Sequence, residues 1–254
     1  MTVVDPYAPQ ELKFRRTFMI ATVGLMIPLA ALLVAVPEID LTVSGFAKEL
    51  CPASARSLTG AWCPASALNA VRSAFIALFM LVVGATLAVS VGVLIAKRKL
   101  FGTAQARCWF MIAVLVVGPG VVTNLIFKDN FGRARPRDVI ELGGTKVFSP
   151  PLLPAQECQR NCSFVCGEAA SMFAPLFALV FLFPRYRRSL LLAALTTGLV
   201  AGAVRMMQGA HFLSDVLFAG IFMALTVSLL HVVFIDSGAT RSAHGARSRP
   251  RSRP

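Results

Sequence analysis

Residues Thr17 to Val36 read TFMIATVGLMIPLAALLVAV and carry no charged side chain. A helix of about 20 apolar residues is long enough to cross the hydrocarbon core of a bilayer. The whole chain has this character, because hydrophobic residues make up 56% of it and charged residues 15%. A soluble domain carries about a quarter charged residues. The sequence therefore predicts an integral membrane protein.

Six apolar stretches are candidates for spanning helices, and they cover residues 17–36, 73–96, 109–127, 169–183, 189–206 and 214–235. The first follows Lys13, Arg15 and Arg16, as the apolar core of a signal peptide would. It is longer than such a core usually is, so we interpret it as a retained helix. The predicted fold class is an all-α integral membrane protein of six transmembrane helices, with a bundle core and a long extracytoplasmic loop.

Positive charge is concentrated in alternate connecting segments. If each stretch crosses once, one side of the membrane receives Lys13, Arg15, Arg16, Lys97, Arg98, Lys99, Arg107, Arg185, Arg187, Arg188 and the arginines of the C-terminal tail. Positive residues in short loops mark the cytoplasmic face, so both termini are predicted to be cytoplasmic. The net charge of +13 then reflects topology, and nucleic acid is not expected as a partner.

The topology divides the chain into three parts. Residues 1–16 form a cytoplasmic N-terminus, residues 17–236 the membrane domain, and residues 237–254 a basic tail. The tail lacks apolar residues to bury and is predicted to be disordered. It either binds anionic lipid headgroups or only anchors the topology.

Five of the six cysteines fall in or beside predicted extracytoplasmic segments, namely Cys51, Cys63, Cys158, Cys162 and Cys166, whereas Cys108 lies at a cytoplasmic helix end. An oxidising compartment permits disulfides. The simplest pairing is Cys51–Cys63 with Cys158–Cys162, although sequence alone does not fix connectivity. Five cysteines leave at least one thiol unpaired.

The predicted extracytoplasmic loop from Lys128 to Cys166 is unusually basic, since it contains Lys128, Arg133, Arg135, Arg137, Lys146 and Arg160. Arg205 and Asp215 also lie at the extracytoplasmic ends of apolar stretches. Charge at membrane depth is costly and usually marks a functional site. A single arginine there is explained as well by snorkelling to water, but the grouping favours a site.

Three separate segments carry the reactive residues. Lys128 to Pro136 reads KDNFGRARP, Cys162 to Ala169 reads CSFVCGEA, and Arg205 to Asp215 reads RMMQGAHFLSD. In the third, His211 and Asp215 stand at i and i+4, so one helix face would bring them within hydrogen-bonding distance. A carboxylate that accepts from one imidazole nitrogen leaves the other as a directed nucleophile.

The same segments supply groups that bind phosphate. Phosphoryl transfer requires positive charge around three equatorial oxygens and an in-line nucleophile. Arginine contacts phosphate in a bidentate manner, lysine acts as a point charge, and amides at a helix N-terminus cradle anions. Lys128, Arg135, Arg205 and the Gly167 amide provide this set. A turn at Gly209 would bring Arg205 towards His211 from the neighbouring helix.

In order and spacing, the three segments resemble the signature of the type 2 phosphatidic acid phosphatase superfamily. That signature is a lysine, six residues and Arg-Pro, then Pro-Ser-Gly-His, then an arginine, five residues, a histidine, three residues and an aspartate. The first motif is complete, and the third is complete except that Val204 stands where the family usually has serine. The matching region spans residues 128–215.

The resemblance implies six helices with the motifs on one face, and it makes the loop an extracytoplasmic active-site loop. It implies that His211 attacks phosphorus to form a phosphohistidine and that Asp215 supports His211. Lys128, Arg135 and Arg205 would bind the phosphate. No metal and no other cofactor is implied.

The middle motif departs from the family, because Val165-Cys166-Gly167-Glu168 stands in place of Pro-Ser-Gly-His. Glu168 is the candidate general acid if burial raises its pKa. Nearby cations would lower that pKa, and Glu168 would then orient a water or pair with an arginine. Cys166 would contact phosphate as a weaker donor than serine. A nucleophilic Cys166 is disfavoured, because Met172 occupies the position of the arginine in cysteine phosphatases.

The substrate is predicted from residues 161–168, which resemble bacterial lipid A phosphatases. We expect a metal-independent phosphatase of the bacterial inner membrane that removes the 1- or 4′-phosphate of lipid A at the periplasmic face. Undecaprenyl pyrophosphate and phosphatidylglycerol phosphate are alternative lipid substrates. An anion- or lipid-binding protein, or a transporter, without catalysis is the alternative of another class.

The remaining basic residues of the loop have two interpretations. Arg133, Arg137, Lys146 and Arg160 would either bind further headgroup phosphates or sugars, or pair with Asp129, Asp138, Glu141 and Glu157.

Overall fold

The computed structural model describes residues 8–51, 62–63, 66–96 and 105–236. The long helices are α1 (Ala8–Ala35), α2 (Glu38–Glu49), α3 (Ser66–Ala96), α4 (Gln105–Leu115), α5 (Gly167–Leu182), α6 (Arg187–Met207) and α7 (Leu213–His231). Helix α4 continues as a π-helix over Val116–Lys128, and α7 continues as a π-helix over Val232–Asp236. Short 3₁₀ turns cover Pro136–Asp138, Ile140–Leu142 and Pro184–Tyr186.

The prediction of an all-α membrane protein is confirmed. In the described part of the chain, five helical segments are long and apolar enough to span a bilayer, namely Gln10–Ala35, Ala67–Ile95, Gln105–Lys128, Pro184–Met207 and Leu213–Ile235. The remaining predicted span corresponds to α5, an apolar helix of only 16 residues. At 1.5 Å per residue α5 reaches about 24 Å, less than the roughly 30 Å of a hydrocarbon core. The count of six spans therefore stays a prediction.

Helix α5 forms the centre of the bundle and packs mainly against α6 and α7. Two glycines of α6 allow this close packing. A Cβ atom at Gly198 would lie 2.4 Å from the Phe173 ring, and one at Gly202 would lie 2.3 Å from Cγ1 of Val216. Because α6 has no side chain at these two positions, its C-terminal end lies directly beside the N-terminal ends of α5 and α7.

Helix α2 was not predicted from the apolar stretches. It follows α1 after Pro37 and buries Asp40, Ser44 and Ala47, whose spacing corresponds to one helical face. The buried face of α2 is thus mostly polar, and this explains why a search for apolar runs does not find it. Asp40 has no exposed surface.

Both predicted disulfides are present. Cys51–Cys63 links the end of α2 to the segment before α3, with 5.4 Å between the Cα atoms. Cys158–Cys162 lies in the loop before α5, with 5.6 Å between the Cα atoms. Cys108 and Cys166 are free and buried.

Some sequence predictions fall on segments outside the described residues. These are the basic tail, residues 237–254, and the charged connection that contains Lys97, Arg98 and Lys99. The division into three domains stays a prediction.

Candidate active site

The three reactive segments meet at one cavity of about 340 Å³. Lys128 at the end of the π-helix, Arg135 in the loop, Gly167 and Glu168 at the start of α5, and Arg205 near the end of α6 all line it. Most of the predicted site residues therefore lie together. His211 and Cys166 have no exposed surface, but both lie against Glu168.

The chain around His211 is shaped by a turn between α6 and α7. Helix α6 ends at Met207, and Gly209 has a φ of +64°, a left-handed conformation that glycine adopts without strain. His211 lies ahead of α7, which begins at Leu213. The prediction that His211 and Asp215 share a helix face is therefore wrong, although the two side chains do lie close together, with 3.5 Å between Nδ1 and Oδ2.

Helix α7 begins after His211 because Asp215 caps its N-terminus. Its Oδ2 accepts a hydrogen bond of 2.8 Å from the backbone N–H of Phe212. A carboxylate at the third helical position that reaches back to the residue before the helix stabilises a helix start. Phe212 is extended, with φ −80° and ψ 165°, so the helix does not include His211.

The imidazole of His211 is held through Nδ1. This atom lies 2.7 Å from the carbonyl oxygen of Ser163 and 3.5 Å from Oδ2 of Asp215. A carbonyl oxygen only accepts hydrogen bonds, so Nδ1 carries the proton and Nε2 has the free lone pair. Among the described residues, Nε2 of His211 has no hydrogen-bond partner. Burial lowers the pKa of His211 to about 4, so the ring is neutral at neutral pH.

Glu168 lies between two arginines and the histidine. Its Oε1 is 3.0 Å from Nε of Arg205 and 3.1 Å from Nε of Arg72, and its Oε2 is 4.0 Å from Nε2 of His211. Burial by itself would raise the pKa of Glu168, but His211, Arg205 and Lys128 together lower it to about 2. The carboxylate is therefore ionised and occupies a position suited to a phosphate oxygen.

Asn161 fixes the other two cations, a role that the sequence did not indicate. Its backbone carbonyl accepts a bond of 2.7 Å from Arg135, and its side-chain oxygen lies 3.4 Å from Nζ of Lys128. Gly167 faces the same lysine, since a Cβ atom there would lie 3.0 Å from Nζ. A larger residue at position 167 would crowd Lys128.

Arg72 is a further cavity residue, and the sequence did not indicate its role. It lies near the start of α3, and 41% of its side chain is exposed. No motif marks it, because its relation to Glu168 arises only when α3 packs beside α5. Phe75, Ile76 and Phe79 of the same helix line the cavity with apolar side chains.

Arg133 does not follow either interpretation given to the extra basic residues. Only 1% of it is exposed, so it does not bind a headgroup, and it pairs with Asp40 at 2.8 Å and Asp215 at 2.6 Å. A buried charge needs a charged partner, and no sequence pattern indicates that α2 provides one. Arg137, in contrast, lies 3.7 Å from Asp138, as the pairing interpretation expects.

Three side chains of the site offer atoms that ligate metals. One ligand atom each from Cys166, Glu168 and His211 lies within 4.8 Å of the others. Sulfur, oxygen and nitrogen donors of this kind suit zinc. The positive charges of Lys128 and Arg205 beside Glu168 oppose the binding of a metal cation there.

The helical bundle and its site define a polytopic membrane protein with a cation-lined cavity beside a buried, neutral histidine. Residues 107–238, just over half of the chain, match the PAP2 superfamily, and the chain belongs to that family. No solved structure matches it.

Several curated relatives are similar to part of the chain. Over 136 residues it is 43% identical to a lipid A 4′-phosphatase of Francisella tularensis subsp. novicida, covering 52% of this chain and 61% of the relative. Over 106 residues it is 38% identical to a lipid A 4′-phosphatase of Rhizobium leguminosarum, covering 41% and 45%. A lipid A 1-phosphatase of Rhizobium johnstonii is 34% identical over 152 residues, covering 56% and 58%. In each case the match spans less than two thirds of the relative.

Proposed function

We propose that this protein is a lipid phosphatase that removes the 1- or 4′-phosphate of lipid A through a phosphohistidine on His211. The observation that carries the proposal is the buried Nε2 atom of His211, which lacks a hydrogen-bond partner among the described residues. This atom lies 4.0 Å from Oε2 of Glu168, a residue that lines the cationic cavity. A neutral imidazole with its other nitrogen held by a carbonyl is a directed nucleophile. Relatives named as lipid A 4′- and 1-phosphatases support the choice of substrate.

Phosphate binding would begin by displacing the Glu168 carboxylate from its two arginines. Arg72 and Arg205 would then contact phosphate oxygens, together with Lys128 and Arg135, which line the same cavity. Charge-assisted bonds of this type are about twice as strong as neutral ones. The movement of Glu168 is needed, because His211 has no exposed surface while the carboxylate lies beside it.

Chemistry would proceed in two displacements. Nε2 of His211 forms a bond to phosphorus while the bond from phosphorus to the sugar oxygen breaks, and the leaving oxygen takes a proton. Water then attacks the phosphohistidine and releases inorganic phosphate with a free imidazole. The cations stabilise the charge on the equatorial oxygens in both steps.

Glu168 would donate the proton to the leaving oxygen. It is ionised in the resting site, where cations lower its pKa to about 2. A bound phosphate would take over those cations and place negative charge beside the carboxyl. Like charges disfavour ionisation, so substrate binding would raise the pKa of Glu168 and allow it to take up a proton from solvent.

The cavity also has features suited to a lipid at a membrane surface. Phe75, Ile76 and Phe79 of α3 line the cavity with apolar side chains, on the same helix as Arg72. The charge pattern of the connecting segments and two disulfides near the site favour the periplasmic face of the inner membrane.

In the test, purified protein is incubated separately with lipid A, undecaprenyl pyrophosphate and phosphatidylglycerol phosphate in the presence of EDTA. The masses of the products are then measured by mass spectrometry. We expect lipid A to lose one phosphate, and the fragment ions to show which position. His211→Ala should release nothing, whereas the control His244→Ala, which alters a histidine of the tail, should match the wild type.

Other outcomes would decide between the alternatives. Turnover of another lipid in preference to lipid A would change the proposed substrate but leave the proposed class of enzyme unchanged. Binding of the lipids without release of phosphate would indicate a lipid-binding protein. Loss of turnover in EDTA that added zinc restores would replace the metal-independent mechanism.

A further inference from the structure

A chain of buried charged groups lies behind the candidate nucleophile and outside the cavity. Arg133 connects two carboxylates, since it donates to Oδ1 of Asp215 at 2.6 Å and to Oδ2 of Asp40 at 2.8 Å. Its Nε donates to the carbonyl of Ser149 at 2.9 Å. At most 1% of each of the three charged side chains is exposed.

Two serines connect this chain of charges to the backbone and to the histidine. The backbone N–H of Ser214 donates to Oδ1 of Asp40 at 2.9 Å, and its hydroxyl contacts both Asp40 and Arg133. The hydroxyl of Ser163 donates to Oδ2 of Asp215, and the carbonyl of Ser163 accepts from Nδ1 of His211. A continuous set of hydrogen bonds thus runs from α2 to the imidazole.

The net charge of Asp40, Arg133 and Asp215 indicates the function of this hydrogen-bonded group. Arg133 alone would neutralise Asp215, the carboxylate closest to the imidazole. With Asp40 present, two carboxylates share one guanidinium, and the group keeps a net negative charge. A negative charge behind the ring favours the cationic forms of imidazole, including a phosphorylated one. Burying three charges is costly, and for stability alone an apolar group would do as well.

We propose that Asp40 and Arg133 are positioning residues, which set the orientation and the effective charge of Asp215 behind His211. This role rests on the proposed function, in which His211 is the nucleophile. It also gives α2 a function, because α2 brings Asp40 to the N-terminus of α7.

The other charged or titratable groups around His211 must stay constant in a test. These groups come from the π-helix, the loop and the helices packed against the histidine. They are Lys128, Cys166, Glu168, Arg205 and Asp215. All of them are unchanged in variants of Asp40 and Arg133.

The experiment is a pH titration of the three histidines in the ¹⁵N-histidine-labelled, purified full chain by NMR, with His211→Gln used to assign the signal. Asp40→Asn removes a negative charge and should lower the pKa of His211 by about half a unit or more. Arg133→Gln removes a positive charge and should raise it. The double variant restores the net charge, so its His211 should titrate close to the wild type.

Damage to packing alone does not produce shifts of opposite sign that cancel in the double variant. Identical titration curves for the wild type and Asp40→Asn, or shifts of the same sign in both single variants, would overturn the proposal. If Arg133→Gln does not fold, Asp40→Asn decides the question, with Arg133→Lys expected to titrate near the wild type.

Activity measured on the same proteins separates this proposal from the proposed function. Asp40→Asn should lower kcat for lipid A by about tenfold or more, as losses of groups that orient a reactive side chain do. Shifted titrations in a protein whose His211→Ala form still hydrolyses the lipid would refute the nucleophile but keep the network. An inactive His211→Ala variant, together with unshifted titrations in the variants of Asp40 and Arg133, would support His211 as the nucleophile but refute the role of the network.

Discussion

The carbonyl oxygen of Ser163 lies 2.7 Å from Nδ1 of His211, closer than any carboxylate oxygen. A backbone group therefore fixes the ring, and Asp215 acts beside it at 3.5 Å and through the Ser163 hydroxyl. Since a peptide carbonyl does not titrate, the orientation of the imidazole does not depend on pH. The contribution of Asp215 is then mainly its negative charge and its cap on α7.

Asp215→Asn should consequently be less harmful than loss of the imidazole. We expect kcat for lipid A to fall by about 10²-fold, less than the roughly 10⁴-fold of a triad in which the acid alone fixes the tautomer. Arg133 would also lose one of its buried charged partners, so the free energy of unfolding should fall by about 3 kcal/mol. Steady-state kinetics and thermal unfolding measure the two effects. A variant as inactive as His211→Ala would show that the carbonyl is insufficient.

Gly167→Ala should weaken substrate binding, because the added Cβ would lie 3.0 Å from Nζ of Lys128. Displacing the lysine by a few tenths of an ångström should raise KM several-fold and leave kcat less affected, as expected for lost ground-state binding. Gly84→Ala is the matched control, since nothing lies within 4 Å of a Cβ atom there. Equal KM values for the two variants would mean that Lys128 does not contact the phosphate.

Arg72→Gln should raise KM for lipid A about tenfold, because it removes one of the two guanidinium groups proposed to bind the phosphate. The effect should be smaller than that of Arg205→Gln, since Arg72 is 41% exposed and Arg205 only 12%. Arg188→Gln, at the opposite end of α6, serves as the control. Unchanged KM in Arg72→Gln would limit Arg72 to pairing with Glu168.

Glu168→Gln should reveal whether this residue acts as the general acid. For lipid A, kcat should fall by about 10²–10⁴-fold. The wild-type kcat should decline as pH rises, because the protonated acid is lost, and this alkaline decline should vanish in the variant.

An aryl phosphate provides the control for that role. Its leaving oxygen needs no proton, so Glu168→Gln should cleave p-nitrophenyl phosphate nearly as fast as the wild type. An equal loss on both substrates would assign Glu168 to phosphate binding or water orientation instead.

The sequence predicts much of this architecture because apolar runs and spaced motifs are local signals. The all-α membrane fold follows from lengths of apolar residues, as in Thr17 to Val36, and the disulfide pairs follow from proximity in the chain. The resemblance to the phosphatase superfamily predicts that Lys128, Arg135 and Arg205 bind one phosphate, and all three line the cavity.

The features that were missed depend on packing between distant helices. Asp40 lies on α2, whose charged and polar residues interrupt any apolar run, so a search for apolar runs does not find this helix. Its partner Arg133 is 93 residues away in the chain. Arg72 reaches Glu168 across 96 residues. The i, i+4 spacing predicts that His211 lies on the same helix face as Asp215, because helical periodicity does not show where a helix begins. Asp215 is itself a signal for the start of α7 after His211, since an acid at the third helical position caps a helix.

The most direct test is to trap the covalent intermediate. Wild-type protein is mixed with lipid A, quenched in alkali, in which phosphohistidine survives, digested, and examined by mass spectrometry for the phosphorylated peptide. The proposed mechanism requires phosphate on His211, and we expect none on any residue of His211→Ala. Phosphate on Cys166, or hydrolysis by His211→Ala at the wild-type rate, would contradict it.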